Sequence, residues 1–157
     1  MAIGKARAEN YQSKPIRNIR ELIELFDRSG ELIRVKKSVN KDTELMAILK
    51  RAQTELKKPV LFENVKGTDF MFVGNLFGGR DKLARIFGVR EEEVVAEWIR
   101  LFHAERREPI RVDSSPCQEV VHQGKINVGE ILPIPYQYRG DAAPFINSAI
   151  VVAKDPK

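Results

Sequence analysis

Over roughly its first two thirds, the chain switches repeatedly between a helical and a strand-like spacing of apolar residues. Ile19, Leu22, Ile23 and Phe26 recur at helical spacing. Asn18 stands where an N-cap belongs, Glu21 follows at the third helical position, and Ser29-Gly30 closes the run. Leu32-Ile33-Arg34-Val35 is short and branched and predicts a strand. Leu45, Met46, Leu49 and Ala52 return to helical spacing behind Asn40 or Asp42 as cap, and Lys57-Lys58-Pro59 breaks this second helix. Pro59 to Val65 predicts a strand, Lys66-Gly67-Thr68 a turn, and Phe70 to Leu76 another strand running into Gly78-Gly79-Arg80. Asp81 then caps a short helix carrying Leu83, Ile86 and Phe87, closed by Gly88. Glu91-Glu92-Glu93 occupies a first helical turn, where the backbone dipole favours acids, and Val94, Val95, Trp98, Ile99 and Phe102 form the buried stripe of the helix that follows. Helices alternating with strands predict an α/β layer with helices packed on a sheet.

The pattern changes near residue 104. Ala104 to Pro109 reads as a charged surface connector, and prolines and short β-type runs follow: Ile110 to Val112, Cys117 to Val121, and Leu132 to Tyr136. Phe145 to Ala153 is the most strand-like stretch of all, and it meets Lys154-Asp155-Pro156-Lys157 at the end of the chain. A strand in that place needs neighbours to cover its edges. The expected organisation is a flexible arm over 1–17, an α/β domain over 18–104, and the beginning of a β domain over 105–157, incomplete in this chain.

Composition narrows the classes. The chain has 157 residues, 43% hydrophobic and 31% charged, which is the composition of a globular protein. Its net charge of +5 is spread along the chain; it permits an anionic ligand without demanding nucleic acid. One cysteine, Cys117, excludes an internal disulfide and a CxxC metal site. No apolar run reaches the ~18 residues of a membrane span, and Met1 to Arg7 lacks the apolar core of a signal peptide, so the expected setting is a reducing cytoplasm.

No constellation of residues declares a mechanism. Cys117 and His122 stand an odd number of positions apart, which on an extended strand puts them on opposite faces; the plain alternative is a small buried thiol and a surface histidine. Asn75 to Asp81 joins strand to helix, where glycines let backbone N–H groups approach an anion beside Arg80, but it carries neither a P-loop nor a GxGxxG pattern and reads first as a tight turn. The Glu91–Glu93 run reads as a solvated helical turn rather than a cation site. Glu105 to Glu108 reads as a connector rather than a phosphate site. Tyr136, Tyr138 and Arg139 lack the basic stripe of a nucleic-acid surface, and Trp98 sits at core spacing.

The order of the segments is more informative than any one of them. Ser-Gly-Glu-Leu-Ile-Arg-Val (29–35) is followed by Pro59-Val60-Leu61-Phe62-Glu63-Asn64-Val65-Lys66-Gly67 and then Val73-Gly74-Asn75-Leu76-Phe77-Gly78 with a short helix ending Phe87-Gly88. Pro116 to Val121, Leu132-Pro133-Ile134-Pro135, and Asp141 leading to Phe145-Ile146-Asn147 and Lys154-Asp155-Pro156 complete the series. Over residues 18–156 this succession resembles the N-terminal third of the UbiD-type decarboxylases.

That resemblance implies a carboxy-lyase that adds or removes CO2 on aromatic or α,β-unsaturated acids. The family uses prenylated FMN, with Mn²⁺ and K⁺ at its phosphate. The fold implied is an N-terminal α/β layer domain followed by the start of a split β-barrel of the flavin-reductase type. In such chemistry the flavin takes up the electrons left by departing CO2, and the protein positions both partners and returns a proton. A threonine near the flavin precedes the family's Asp-Pro turn; Asn147 stands at the matching position and is the one cofactor-binding residue implied here. The family's metal-binding Asn, His and Glu and its Glu-Arg-Glu catalytic set lie beyond that turn. No catalytic or metal residue is therefore assigned within this chain.

The expected function is the N-terminal portion or small subunit of such an enzyme, inactive alone and completed by a second polypeptide in an oligomer. Neither nucleic acid nor membrane is expected as a partner. The alternatives are a non-catalytic subunit that stabilises or regulates a full-length decarboxylase, and an unrelated anion- or nucleic-acid-binding module using Gly78-Gly79-Arg80 and the +5 charge.

Overall fold

A computed structural model of the chain describes residues 16–105, 108–147, 149–151 and 153. The helix–strand alternation is as expected: α1 (Ile19–Arg28), β1 (Ile33–Val35), α2 (Leu45–Arg51), β2 (Val60–Phe62), β3 (Phe72–Gly74), α3 (Arg80–Phe87), α4 (Val94–Phe102) and a one-turn α5 (Val128–Ile131). Most of the arm expected over 1–17 lies outside the described residues, as do Arg106 and Arg107 of the connector.

Alternation along three short strands sorts the core. β2 lies between β1, with which it runs parallel, and β3, with which it runs antiparallel; Val60 faces Ile33 on one side and Gly74 on the other. All three β2 residues are buried, which is why Val-Leu-Phe reads as an unbroken apolar run. Val60 and Phe62 pack with Val39, Leu45, Ala52 and Val65, and Ile33, Val35, Leu49 and Phe72 close around them, so α2 covers this face. Leu22 and Phe26 of α1 pack with Leu76, with Leu32, Val73 and Ile86 beside them, on the other side of the sheet.

The ends of the elements follow from local chemistry. Asn18 Oδ1 accepts from the N–H groups of Arg20 and Glu21, both at 3.0 Å, and Gly30 takes a left-handed φ of 70° to end α1. Arg34 on β1 donates to Asp27 at 2.6 and 3.0 Å and also pairs with Glu63, tying the end of α1 to the end of β2. α2 continues through a π-helical turn, Ala52–Leu56, and stops at Lys57, whose φ of 52° is left-handed. Asn40, not Asp42, accepts the first backbone bonds of this region, from Glu44 and Leu45 at 3.0 and 3.1 Å. The N-cap of α3 is Gly79 rather than Asp81, which lies inside the first turn.

Two expectations are corrected. The α4 stripe is not buried: Val94 is, but Val95, Trp98, Ile99 and Phe102 are 51 to 69% exposed. Helical periodicity identifies an apolar face, not what covers it; among the described residues Trp98 meets the Phe87 ring at 6.0 Å between centroids. Beyond residue 108 no strand occurs among the described residues. Pro116–Gln118 forms a 3₁₀ turn where a strand was expected, and the described residues of 145–153 are not in a sheet. Extended residues become a strand only when neighbours take their N–H and C=O groups, and apolar β-branched composition cannot supply those neighbours.

Phe62 is fully buried at the centre of the α2 face. Phe62→Ala is expected to lower unfolding free energy by about 3–5 kcal/mol, read from urea denaturation. A loss below about 1 kcal/mol would show that this face is loosely packed.

Candidate functional site

A large cleft opens along the β3 edge of the sheet. The sheet side is β3 and the turn that follows it; α2 supplies a second wall, and residues 132–147 the third. It encloses about 1870 Å³, beyond the ~300–1000 Å³ of ordinary small-molecule pockets. Met71, Phe72, Leu49, Ile134 and Ile146 give it apolar area, while Lys50, Arg80, Arg139 and Asn147 bring polar groups to it.

The turn after β3 is built rather than loose. Asn75 sits at a left-handed φ of 60° and its Nδ2 donates to Leu49 O at 2.9 Å, fastening the end of β3 to α2. A Cβ on Gly74 would come within 2.5 Å of Leu49 Cδ2, so a side chain there would push the end of Leu49 aside. The chain then turns with Gly78 N–H donating to Asn75 O at 3.1 Å and enters α3. The strand-to-helix turn expected at Asn75–Asp81 is therefore what forms.

Behind this turn lies a group of charges. The Lys82 side chain is 5% exposed; its Nζ pairs with Asp81 and lies 3.8 Å from Glu31 Oε2, and Arg85 Nη2 meets Glu31 Oε1 at 2.8 Å. A buried ammonium is tolerated only with such partners. Burial pushes the Asp81 carboxyl up, but the hydrogen bond and charge of Lys82 and two backbone N–H groups outweigh it and hold it below the usual carboxylate range. The opposite wall is held at Asp42. Burial likewise pushes its carboxyl up, and the Lys41 ammonium and the Tyr136 N–H more than offset this.

Asn147 stands in a turn on the cleft wall, lining the same space as Phe72, Val73 and Asn75. Tyr138 and Arg139 also line the cleft and do not form part of a basic stripe. Cys117 is exposed, not a buried thiol; its Sγ lies 3.2 Å from Ser115 Oγ, and His122 is exposed as well. The acidic run forms a 3₁₀ turn with Arg90 paired to Glu92 and Glu93, as a solvated turn should. Sequence reasoning missed Lys82 and Glu31, and it took Asp42 only for a helix cap. Two prolines at 133 and 135, which leave nearby backbone groups in need of acceptors, were the available signal for Asp42.

Among the described residues no three His, Cys, Asp or Glu side chains gather to hold a metal ion. The cleft is large enough for a ring system of flavin size, and Asn147 is among the residues that line it. Among the described residues no helix is long and apolar enough to cross a membrane.

Two family profiles match the chain in succession. The N-terminal domain of 3-octaprenyl-4-hydroxybenzoate carboxy-lyase matches residues 23–102, and the Rift-related domain of the same enzyme family matches residues 109–157. The chain belongs to the UbiD family. The phenolic acid decarboxylase of Sedimentibacter hydroxybenzoicus is 30% identical over 92% of the chain, and the anhydromevalonate phosphate decarboxylase of Methanosarcina mazei 32% identical over 86%. Among solved structures, an evolved dimeric form of the UbiD-class enzyme HmfF from Pelotomaculum thermopropionicum, in complex with prenylated FMN, superposes with a TM-score of 0.75 at 33% identity over 87% of the chain. The vanillic acid decarboxylase of S. hydroxybenzoicus in closed form gives 0.74 at 28% identity over 84%. The chain spans about a third of these relatives: 32% and 30% of the two decarboxylases, and 32% and 29% of the two structures.

The Asp81 carboxyl is held below its ordinary value of 3.8 in the fold. It therefore stabilises the fold fully above that value, and the contribution is lost as pH falls through the depressed folded value. Unfolding of Asp81→Asn should depend less steeply on pH below about 4 than that of the parent chain, measured by urea titration at a series of pH values. Parallel profiles would show that Asp81 is not held this way.

Proposed function

We propose that this chain is the N-terminal portion of a UbiD-type carboxy-lyase that adds or removes CO2 on aromatic or α,β-unsaturated acids. The observation that carries this reading is the pair of family profiles, matched in order over 23–102 and 109–157. They also support dividing the chain into an α/β domain over 18–104 and the opening of a split β-barrel over 105–157. The relatives are decarboxylases, and the HmfF structure contains prenylated FMN.

In this reading the cleft is one wall of the cofactor site. When bound, prenylated FMN supplies the electron sink for decarboxylation. Asn147 contributes an amide to the ring edge, and the apolar lining from Phe72 and Ile146 excludes water from that side. Proton return, Mn²⁺ and K⁺ binding belong to sequence outside this chain, whether in the same polypeptide or in a second one. Two observations support that division. The chain spans about a third of its relatives, and the apolar face of α4, with Trp98 60% and Phe102 69% exposed, calls for a covering surface. The same face supports assembly into an oligomer. The lone exposed Cys117 accords with a reducing cytoplasm.

The isolated 157-residue chain is expected to show no decarboxylation of cinnamate- or hydroxybenzoate-type acids, and to bind prenylated FMN weakly or not at all. Absorbance titration and CO2 release measure both. A yellow preparation of this chain alone that releases CO2 would overturn the reading.

A further inference from the structure

The segment Leu132–Tyr138 runs along the cleft as its third wall, and its backbone donors can be traced one by one. Pro133 and Pro135 have none. Leu132 N–H donates to Val128 O and Ile134 N–H to Leu132 O, both at 2.8 Å, and the Gln137 and Tyr138 N–H groups donate to Asp141 Oδ2 at 3.1 and 2.8 Å. That leaves Tyr136, whose N–H reaches Asp42 Oδ1 at 3.1 Å. Ile134 O in turn accepts from Lys41 Nζ at 3.1 Å, and Lys41 Nζ also donates to both Asp42 carboxylate oxygens at 2.7 and 2.9 Å. Among the described residues these are the two hydrogen bonds that join the part of the chain beyond residue 108 to the α/β layer.

The layer side of this contact is preformed. Asp42 N–H donates to Asn40 Oδ1 at 2.8 Å, Asn40 N–H to Glu44 Oε2 at 2.7 Å, and the turn is anchored by the buried Val39 and Leu45. The strap side is stiff, because two prolines restrict its backbone and Asp141 fixes the turn beyond it. The strap and the layer are joined by two hydrogen bonds made by adjacent residues, beside the half-buried Pro133, Ile134 and Pro135. Both side chains keep contact with water, at 27% exposed for Lys41 and 37% for Asp42, so water competes for every bond in the contact.

We propose that Lys41 and Asp42 form a polar latch that positions the 132–138 strap against the cleft, and that breaking it swings the strap away as a unit and opens the cleft. Asp42 and Lys41 are positioning residues: they set where the third wall stands, independently of what the cleft holds. The proposal does not rest on the carboxy-lyase reading and can fail or hold without it.

Amide hydrogen exchange of the full chain by NMR tests it, with trypsin cleavage after Arg139 as a second readout. In the parent chain the Tyr136 amide should be protected. Asp42→Ala should speed its exchange by about tenfold or more and hasten the Arg139 cut, while the β2 amides of Leu61 and Phe62 keep their protection. Lys41→Met, which leaves the Asn40–Glu44 turn intact, should move the same two readouts in the same direction. It decides the matter if Asp42→Ala weakens the β2 amides as well. An unprotected Tyr136 amide in the parent chain overturns the latch. So does unchanged Tyr136 exchange in Lys41→Met, which would mean that the prolines and Asp141 alone hold the strap.

Discussion

The structure depends on the double burial of one three-residue strand. β2 has β1 on one side and β3 on the other, α2 over Val60 and Phe62, and the α1 side over Leu61. Because its side chains alternate between faces, a slip of one residue would turn Phe62 towards α1 and Leu61 towards α2. Register is thereby fixed, and with it the place of every neighbour. β3 must present Gly74 to Leu49, Asn75 must turn back to α2, and the chain must leave the sheet at Gly78–Gly79. The cleft is the space this departure creates beside α2.

What lines that space is divided between two parts of the chain with different kinds of stability. The α/β layer is held by buried apolar contacts and by ion pairs such as Arg34–Asp27 and the Lys82 group. The later part has no sheet of its own among the described residues, and the hydrogen bonds that join it to the layer there are those at Lys41 and Asp42. Polar contacts in reach of water are individually weak compared with core burial. In the proposed latch, the cleft is fixed along α2 and β3 and adjustable along the strap. That arrangement suits a site whose contents must enter and leave.

Much of the layer was legible because its signals are local. Asn18 as a cap, Gly30 and Gly88 as stops, and the apolar Val-Leu-Phe run all act over a few residues, and all took the form their chemistry predicts. The readings that failed depended on partners. Val95, Trp98, Ile99 and Phe102 have the spacing of a buried face, but spacing does not say what lies opposite. Phe145 to Ala153 has strand composition, but a strand is a relation between segments. In the site, the Asn75–Asp81 turn could be read from its glycines. Lys82 could not, since nothing about an isolated lysine reveals that Asp81 and Glu31 will enclose it.

A large cleft beside α2, an open apolar helix face, and family matches that span about a third of their relatives support the proposal that other sequence completes the site. Intact native mass together with the absorbance spectrum of the species purified from its own cells tests this most directly. The account predicts a flavin-bearing species well above 17.9 kDa, as a longer polypeptide or as a complex with a second one. A 17.9 kDa species that carries flavin and turns over substrate unaided, or a larger one without any flavin, would contradict it.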